Sequence, residues 1–175
     1  LYQKENVMII VYFSIYCFLG YWLESCYISL FQRKWVSSGL LKGPFIPLYG
    51  FGACLLMICL PYIQALHPFF NFFLSGILLT LLELLASYYI EKFFHTRCWD
   101  YSHHFLHFQG RICLIYFLIW CVMGSLFIYV IHPFMMSLHL VNDATCLISL
   151  IYLSLIIKAY GDRLLHNRHN GIKIH

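Results

Sequence analysis

Residues 7–30 read VMIIVYFSIYCFLGYWLESCYISL, 24 positions carrying one charge, Glu24. As a helix this run rises roughly 36 Å, enough to cross a hydrocarbon core of ~30 Å. It is longer than a secretory h-region and has no small-residue cleavage site, so it reads as a retained first span. The rest of the chain repeats the signal. Of the 175 residues 62% are hydrophobic and only 10% charged, and mean hydropathy is +0.76. A water-soluble domain needs about a quarter of its residues charged. The fold class is therefore all-α, a polytopic helical membrane protein of about five spans.

The spans are expected near 7–30, 49–66, 68–90, 112–131 and 141–159. They form one integral membrane domain over residues 1–160, followed by a polar tail at 161–175. Arg33, Lys34, Lys42, Lys92, Arg97, Arg111, Lys158, Arg163, Arg168 and Lys173 fall on one side of this arrangement, and only Lys4 on the other. The positive-inside bias places the N-terminus outside and the C-terminus in the cytoplasm of a plasma membrane. The outer loops are then short: His67–Pro68, and His132 to Asn142. The formal charge of +4 suits anionic lipids. The basic residues are dispersed beside spans, which excludes a nucleic-acid interface.

Two cytoplasmic loops hold the unusual residues. GPFIPLYGFGA, residues 43–53, gathers Gly43, Pro44, Pro47, Gly50 and Gly52, with Tyr49 among them, into the approach to the second span. Broken backbone at membrane depth is tolerated only where protein buries it or a wet cavity receives it. The segment therefore reads either as a tight helix-entry turn or as carbonyls lining a site beside a positive helix end. RCWDYSHHFLHFQGR, residues 97–111, presents Arg97, Trp99, Asp100, Tyr101 and Arg111. Asp100 has two readings, as a capping carboxylate or as the ion-pair partner of Arg97 or Arg111.

Glu24 and Glu83 are intramembrane acids, each nine residues before a basic residue, Arg33 and Lys92. That spacing puts each roughly 13 Å inside the span, where an acid faces the bundle interior with a partner. The matching positions suggest two parallel helical hairpins plus one further helix.

Catalytic and cofactor chemistry is poorly represented. The eight cysteines form no C-x-x-C pair and read as packing residues. His103 and His107 are spaced to share a helix face, but no metal-binding pattern accompanies them. No nucleophile elbow or phosphate-binding loop of an ATPase is present. No cofactor is expected, no metal site is assigned, and no catalytic residue is named.

Gly20-Tyr21-Trp22-Leu23-Glu24, residues 43–53, Leu82-Glu83, Trp99-Asp100-Tyr101-Ser102 and Gly110-Arg111-Ile112-Cys113 together resemble the bacterial ABC-transporter type IV family, the CmpB-like permeases. The resemblance runs roughly from Phe18 to Gly124. It departs where Ser38-Gly39 replaces the family's Arg-Gly pair and Cys98-Trp99 replaces a Trp pair. The resemblance implies a small membrane subunit of a transporter, with Glu24, the Gly/Pro loop, Glu83 and the loop at 97–111 working together. It implies a separate nucleotide-binding ATPase subunit; the spans themselves contact membrane lipids, and the narrow permeation path of so small a bundle points to a homo-oligomer or a partner subunit. The competing class is a membrane-embedded enzyme acting on a lipid or lipid-linked substrate at the inner leaflet. In that class Glu24, Glu83 or Asp100 would be the acid or base, and Arg97 and Arg111 would hold a phosphate. A third class is an accessory protein whose acids only specify helix packing.

Overall fold

The computed structural model describes the backbone of residues 2–169 and the side chains of residues 7–166. The side chains of Lys4, Arg168, Lys173 and His175 lie outside the described residues. The described residues form six α-helices: α1 (Tyr2–Gln32), α2 (Pro47–Gln64), α3 (Pro68–Phe94), α4 (Leu114–Leu126), α5 (His132–Ser137) and α6 (Asp143–His169). A π-turn at Phe127–Ile131 joins α4 to α5, so the two make one span. Two-residue strands, β1 (His107–Phe108) and β2 (Ile112–Cys113), pair antiparallel just before α4. Among the described residues five segments are long and apolar enough to cross a membrane: Val7–Gln32, Pro47–Gln64, Pro68–Phe94, Leu114–Ser137 and Asp143–His166.

Most span ends shift by two to four residues from the sequence reading, and three differences change what a segment is. The fourth span continues beyond Ile131 to Ser137, taking in half of the expected outer loop. Pro133 has no amide hydrogen and would clash with the carbonyl four residues back. The π-turn relieves this, and the His132 amide donates to the Phe127 carbonyl five residues earlier. At the other end of this span, Ile112 and Cys113 are strand rather than helix. Finally, α6 runs through Gly161 to His169, into the segment expected as tail.

The chain divides into two compact units. The first comprises Leu1–Phe51, Phe93–His95 and Val141–His175. Here α1 packs on α6: Ser14 Oγ lies 3.0 Å from the Ile10 carbonyl and 3.5 Å from that of Ser149. Cys17, Leu41, Phe45 and Ile156 form the buried core of this unit. Close approach between α1 and the start of α2 depends on absent side chains. A Cβ on Gly20 would run into the Tyr49 ring, and one on Gly50 into Cys17 and Phe13.

The second unit comprises Gly52–Lys92 and Thr96–Leu140. In it α3 and α4 cross through small residues. A Cβ on Gly76 would strike Cys121, whose backbone N and Cα lie 3.1 Å away, and one on Gly124 would meet Ser75 at 2.6 Å. Small residues at such a crossing let helices pack by van der Waals contact, which is what holds them together in lipid. Across both units large apolar side chains point outward, among them Leu30, Tyr62, Phe31 and Ile157, as lipid-facing positions do.

Gly76→Ala tests this crossing. Because the obstruction is backbone as well as side chain, the variant is expected to lose about 1–3 kcal/mol, read as a lowered thermal unfolding midpoint in detergent. Gly161→Ala, with open space around the glycine inside α6, should not lower the midpoint, since alanine is the better helix former.

Candidate functional site

Both helices that carry an intramembrane acid end on a left-handed residue, Arg33 after α1 (φ 51°) and His95 after α3 (φ 51°). In each case the following chain turns back along its own helix.

In the first unit the returning segment is 36–38. The Val36 amide donates to Ser29 Oγ at 2.9 Å and the Ser38 amide to Ser25 Oγ at 3.1 Å. Ser37 Oγ pairs with the Tyr21 hydroxyl at 3.0 Å, and Ser38 Oγ donates to Glu24 Oε1 at 2.5 Å. Tyr21, Ser25 and Ser29 are four apart, one stripe of α1. Ser25 lies seven residues before the helix end, so this loop backbone descends about 10 Å beside α1. Glu24 is therefore the acceptor that anchors a re-entrant strap.

The Gly/Pro loop follows. Gly39 and Gly43 take φ of 106° and 125°, a region costly for any other residue. The Phe45 amide donates to the Gly43 carbonyl at 2.8 Å, closing a tight turn. Pro47 starts α2, where its missing amide hydrogen costs nothing. The Pro44 carbonyl accepts the Tyr152 hydroxyl at 2.6 Å, and the Phe45 ring packs edge-on against Tyr152 at 5.2 Å. These contacts are those of an apolar helix-entry turn fastened to α6. Tyr49 fills the space over Gly20.

In the second unit Glu83 is buried at 3% exposure. Its Oε1 accepts the Tyr101 hydroxyl and its Oε2 the Trp120 indole N–H, each at 2.9 Å. Tyr101 stacks on Tyr116 with ring centres 4.2 Å apart, and His104 meets both rings edge-on. Burial, then the neighbouring Glu83 charge, push the Tyr101 phenol well above its ordinary range, so it stays a donor. Trp99 Nε1 donates to the Arg111 carbonyl at 2.9 Å, tying the two ends of the loop together.

Arg111 is buried at 6% exposure. Its Nη1 donates to Ser87 Oγ at 2.8 Å, its Nη2 pairs with Glu91 Oε2, and its guanidinium lies 4.1 Å over the Tyr88 ring. Arg97 pairs with the other oxygen of Glu91 at 3.3 Å. Both arginines thus go to Glu91. Asp100 instead accepts the Ser102 amide at 2.9 Å and the Ser102 hydroxyl, an Asx turn. Ser102's hydroxyl and amide bonds hold the Asp100 carboxyl below its ordinary value. The turn between β1 and β2 has positive φ at Gln109 (53°) and Gly110 (69°), and the Arg111 amide closes it on the Phe108 carbonyl at 2.9 Å. A Cβ on Gly110 would lie 2.6 Å from Asp100 Oδ1. His103 and His107 do not share a helix face, because this segment is turn and hairpin. His107 Nδ1 instead accepts the Gly110 amide at 3.1 Å.

Of the residues expected from sequence, Glu83, Arg97, Trp99, Asp100, Tyr101 and Arg111 come together in the second unit. Glu24, Gly43, Pro44, Pro47, Tyr49 and Gly50 lie in the first. Glu91, Ser87, Trp120 and Ser38 escaped the sequence reading. Glu83, Ser87 and Glu91 stand at i, i+4 and i+8, a polar stripe that periodicity alone could have revealed. For Trp120 no local signal exists.

Five apolar spans, two of them carrying an acid answered by a folded-back loop, define a multi-pass α-helical membrane protein. The family model described as putative ABC-transporter type IV matches residues 11–160, and the chain belongs to that family. Neither the curated proteins nor the solved structures gave a match.

Two outcomes are expected. Tyr101→Phe leaves one buried Glu83 oxygen without this donor and should cost about 1–3 kcal/mol, measured by thermal unfolding in detergent. Asp100 has a folded pKa below its unfolded value of about 3.9, so its contribution is complete above that value and lost as pH falls through the folded one. Hydrogen-exchange protection of the Ser102 amide should therefore drop below about pH 4, and Asp100→Asn should remove that pH dependence.

Proposed function

We propose that this chain is a small integral membrane subunit of an ABC-type transporter, either a permease or a substrate-capturing component, serving a separate nucleotide-binding ATPase subunit. The observation that carries the reading is the family match over residues 11–160, which takes in both acid-bearing helices and both folded-back loops. No phosphate-binding loop of an ATPase occurs in residues 1–175, which supports a motor supplied from outside this segment. In the first unit Glu24 and the loop at 33–46, and in the second Glu83 and the loop at 96–113, are the polar features that support a ligand-handling role. The Lys/Arg bias supports an opening toward the cytoplasm, with the N-terminus outside, in a bacterial plasma membrane. A span bundle this small supports a homo-oligomer for any permeation path.

The alternative, a lipid-directed enzyme at the inner leaflet, has less behind it. Its acid or base would be Glu24, Glu83 or Asp100, and Glu24 already accepts the Ser38 hydroxyl. Yet Glu83 is held by Tyr101 and Trp120, and Asp100 by Ser102.

Purification of the tagged protein from its native membrane in mild detergent tests the proposal. A stoichiometric nucleotide-binding subunit, identified by mass spectrometry and showing ATPase activity that depends on this chain, is the expected result. A protein that emerges alone with one bound lipid species would falsify it. Glu24→Gln and Glu83→Gln should both fold and both depress the ATPase activity of the complex. Normal activity in both would remove the acids from the mechanism.

A further inference from the structure

Arg111 uses its guanidinium in an uneven way. Nη1 is taken by Ser87 and one face by Tyr88. On the remaining edge, Nη2 meets Glu91 while Nε is buried with no hydrogen-bond partner. Nε and Nη2 are the two parallel donors with which arginine grips a carboxylate or phosphate bidentately. Glu91 occupies one tooth of that fork and leaves the other empty. Its second oxygen is drawn to Arg97, through both Nε at 3.4 Å and Nη2 at 3.3 Å. Glu91 therefore bridges two arginines without saturating either, and the cluster counts two cations against one anion.

A buried donor left unmet is costly, so this edge is built for a better acceptor than Glu91 supplies. Glu91 is 39% exposed at its side chain, against 8% for Arg111. It is the member of the pair free to swing aside into solvent, whereas Arg111 is held by Ser87, by Tyr88 and through its own carbonyl by Trp99. Tyr88 is itself fixed, donating to Gln109 Oε1 at 2.7 Å.

We infer that Arg111 and Arg97 form an oxyanion site for a phosphate group, with Glu91 as the internal carboxylate that occupies it until the ligand arrives. An entering phosphate would take Arg111 Nε and Nη2 together, place a further oxygen toward Arg97, and displace Glu91. The phosphate belongs either to a free anion or to a phosphomonoester lipid headgroup, which the zwitterionic phosphodiester of phosphatidylcholine does not supply; the chemistry recognised is the same. The functional meaning rests on the reading of this loop as a ligand site of the transporter, but the binding itself requires no ATPase partner.

The test uses the purified full chain in phosphatidylcholine nanodiscs. One arm titrates inorganic phosphate by calorimetry. The other places phosphatidic acid in the nanodisc and follows its headgroup by phosphorus NMR. Glu91→Gln removes the competing charge and should bind the responding probe at least about five-fold tighter than the native chain. Arg111→Lys keeps the charge but loses the fork and should bind at least about ten-fold more weakly. Should Arg111→Lys fail to fold, the exposed Arg97→Lys substitutes for it, with a several-fold loss expected. A response to phosphate alone assigns a free anion, and a response to phosphatidic acid alone assigns a lipid headgroup. Silence from both probes, equal affinity in Glu91→Gln and native chain, or undiminished affinity in the arginine variants overturns the site. Because no partner subunit enters this experiment, its failure is distinct from failure to recover an ATPase.

Discussion

A hydrocarbon interior offers no hydrogen bond, so any loop that dips below the membrane surface must find its partners in protein. That constraint organises the polar residues of this chain. Alongside Glu24, the stripe Tyr21, Ser25 and Ser29 on α1 meets the loop segment 36–38, amide by amide and hydroxyl by hydroxyl. On α3 the stripe Glu83, Ser87 and Glu91 meets Tyr101 and the arginines of the loop that follows. In each unit the helix that descends into the loop supplies the acceptors that allow the loop to fold back.

The two acids solve the same problem by different means. Glu24 accepts a serine hydroxyl from a strap that is itself backbone-bonded to α1. Glu83 sits deeper in protein, between the Trp120 indole and a Tyr101 whose ring stacks on Tyr116. Neutral donors can satisfy a carboxylate at membrane depth without bringing a second charge into low dielectric, which avoids much of the cost of a buried ion pair. The charged pairing is kept for Glu91, which with Arg97 is exposed while Arg111 is buried.

Glycine and proline place these loops. Left-handed glycines at 39, 43 and 110 turn the backbone where a side chain would be strained. Gly20, Gly50, Gly76 and Gly124 remove bulk so that Tyr49, Cys17, Cys121 and Ser75 can approach. The cluster at residues 43–53 thereby has a physical account: it brings the chain from the strap into α2 within a few residues, and fastens it to α6 through Tyr152.

Composition and run length alone determined that this is an all-α membrane protein of five spans, because burying apolar helices in lipid depends on local hydropathy and length. They also marked Glu24 and Glu83, since an acid in an apolar run stands out without any knowledge of its neighbours. The family followed from short motifs. What the tertiary structure decided is which groups meet. Arg97 and Arg111 chose Glu91 over the nearer Asp100, because the Asx turn at Ser102 had already engaged that carboxylate. Trp120 reached Glu83 across 37 residues, and Tyr152 reached Pro44 across 108. Such pairings depend on helix crossings that close contacts set, and no periodicity within one segment encodes a partner in another.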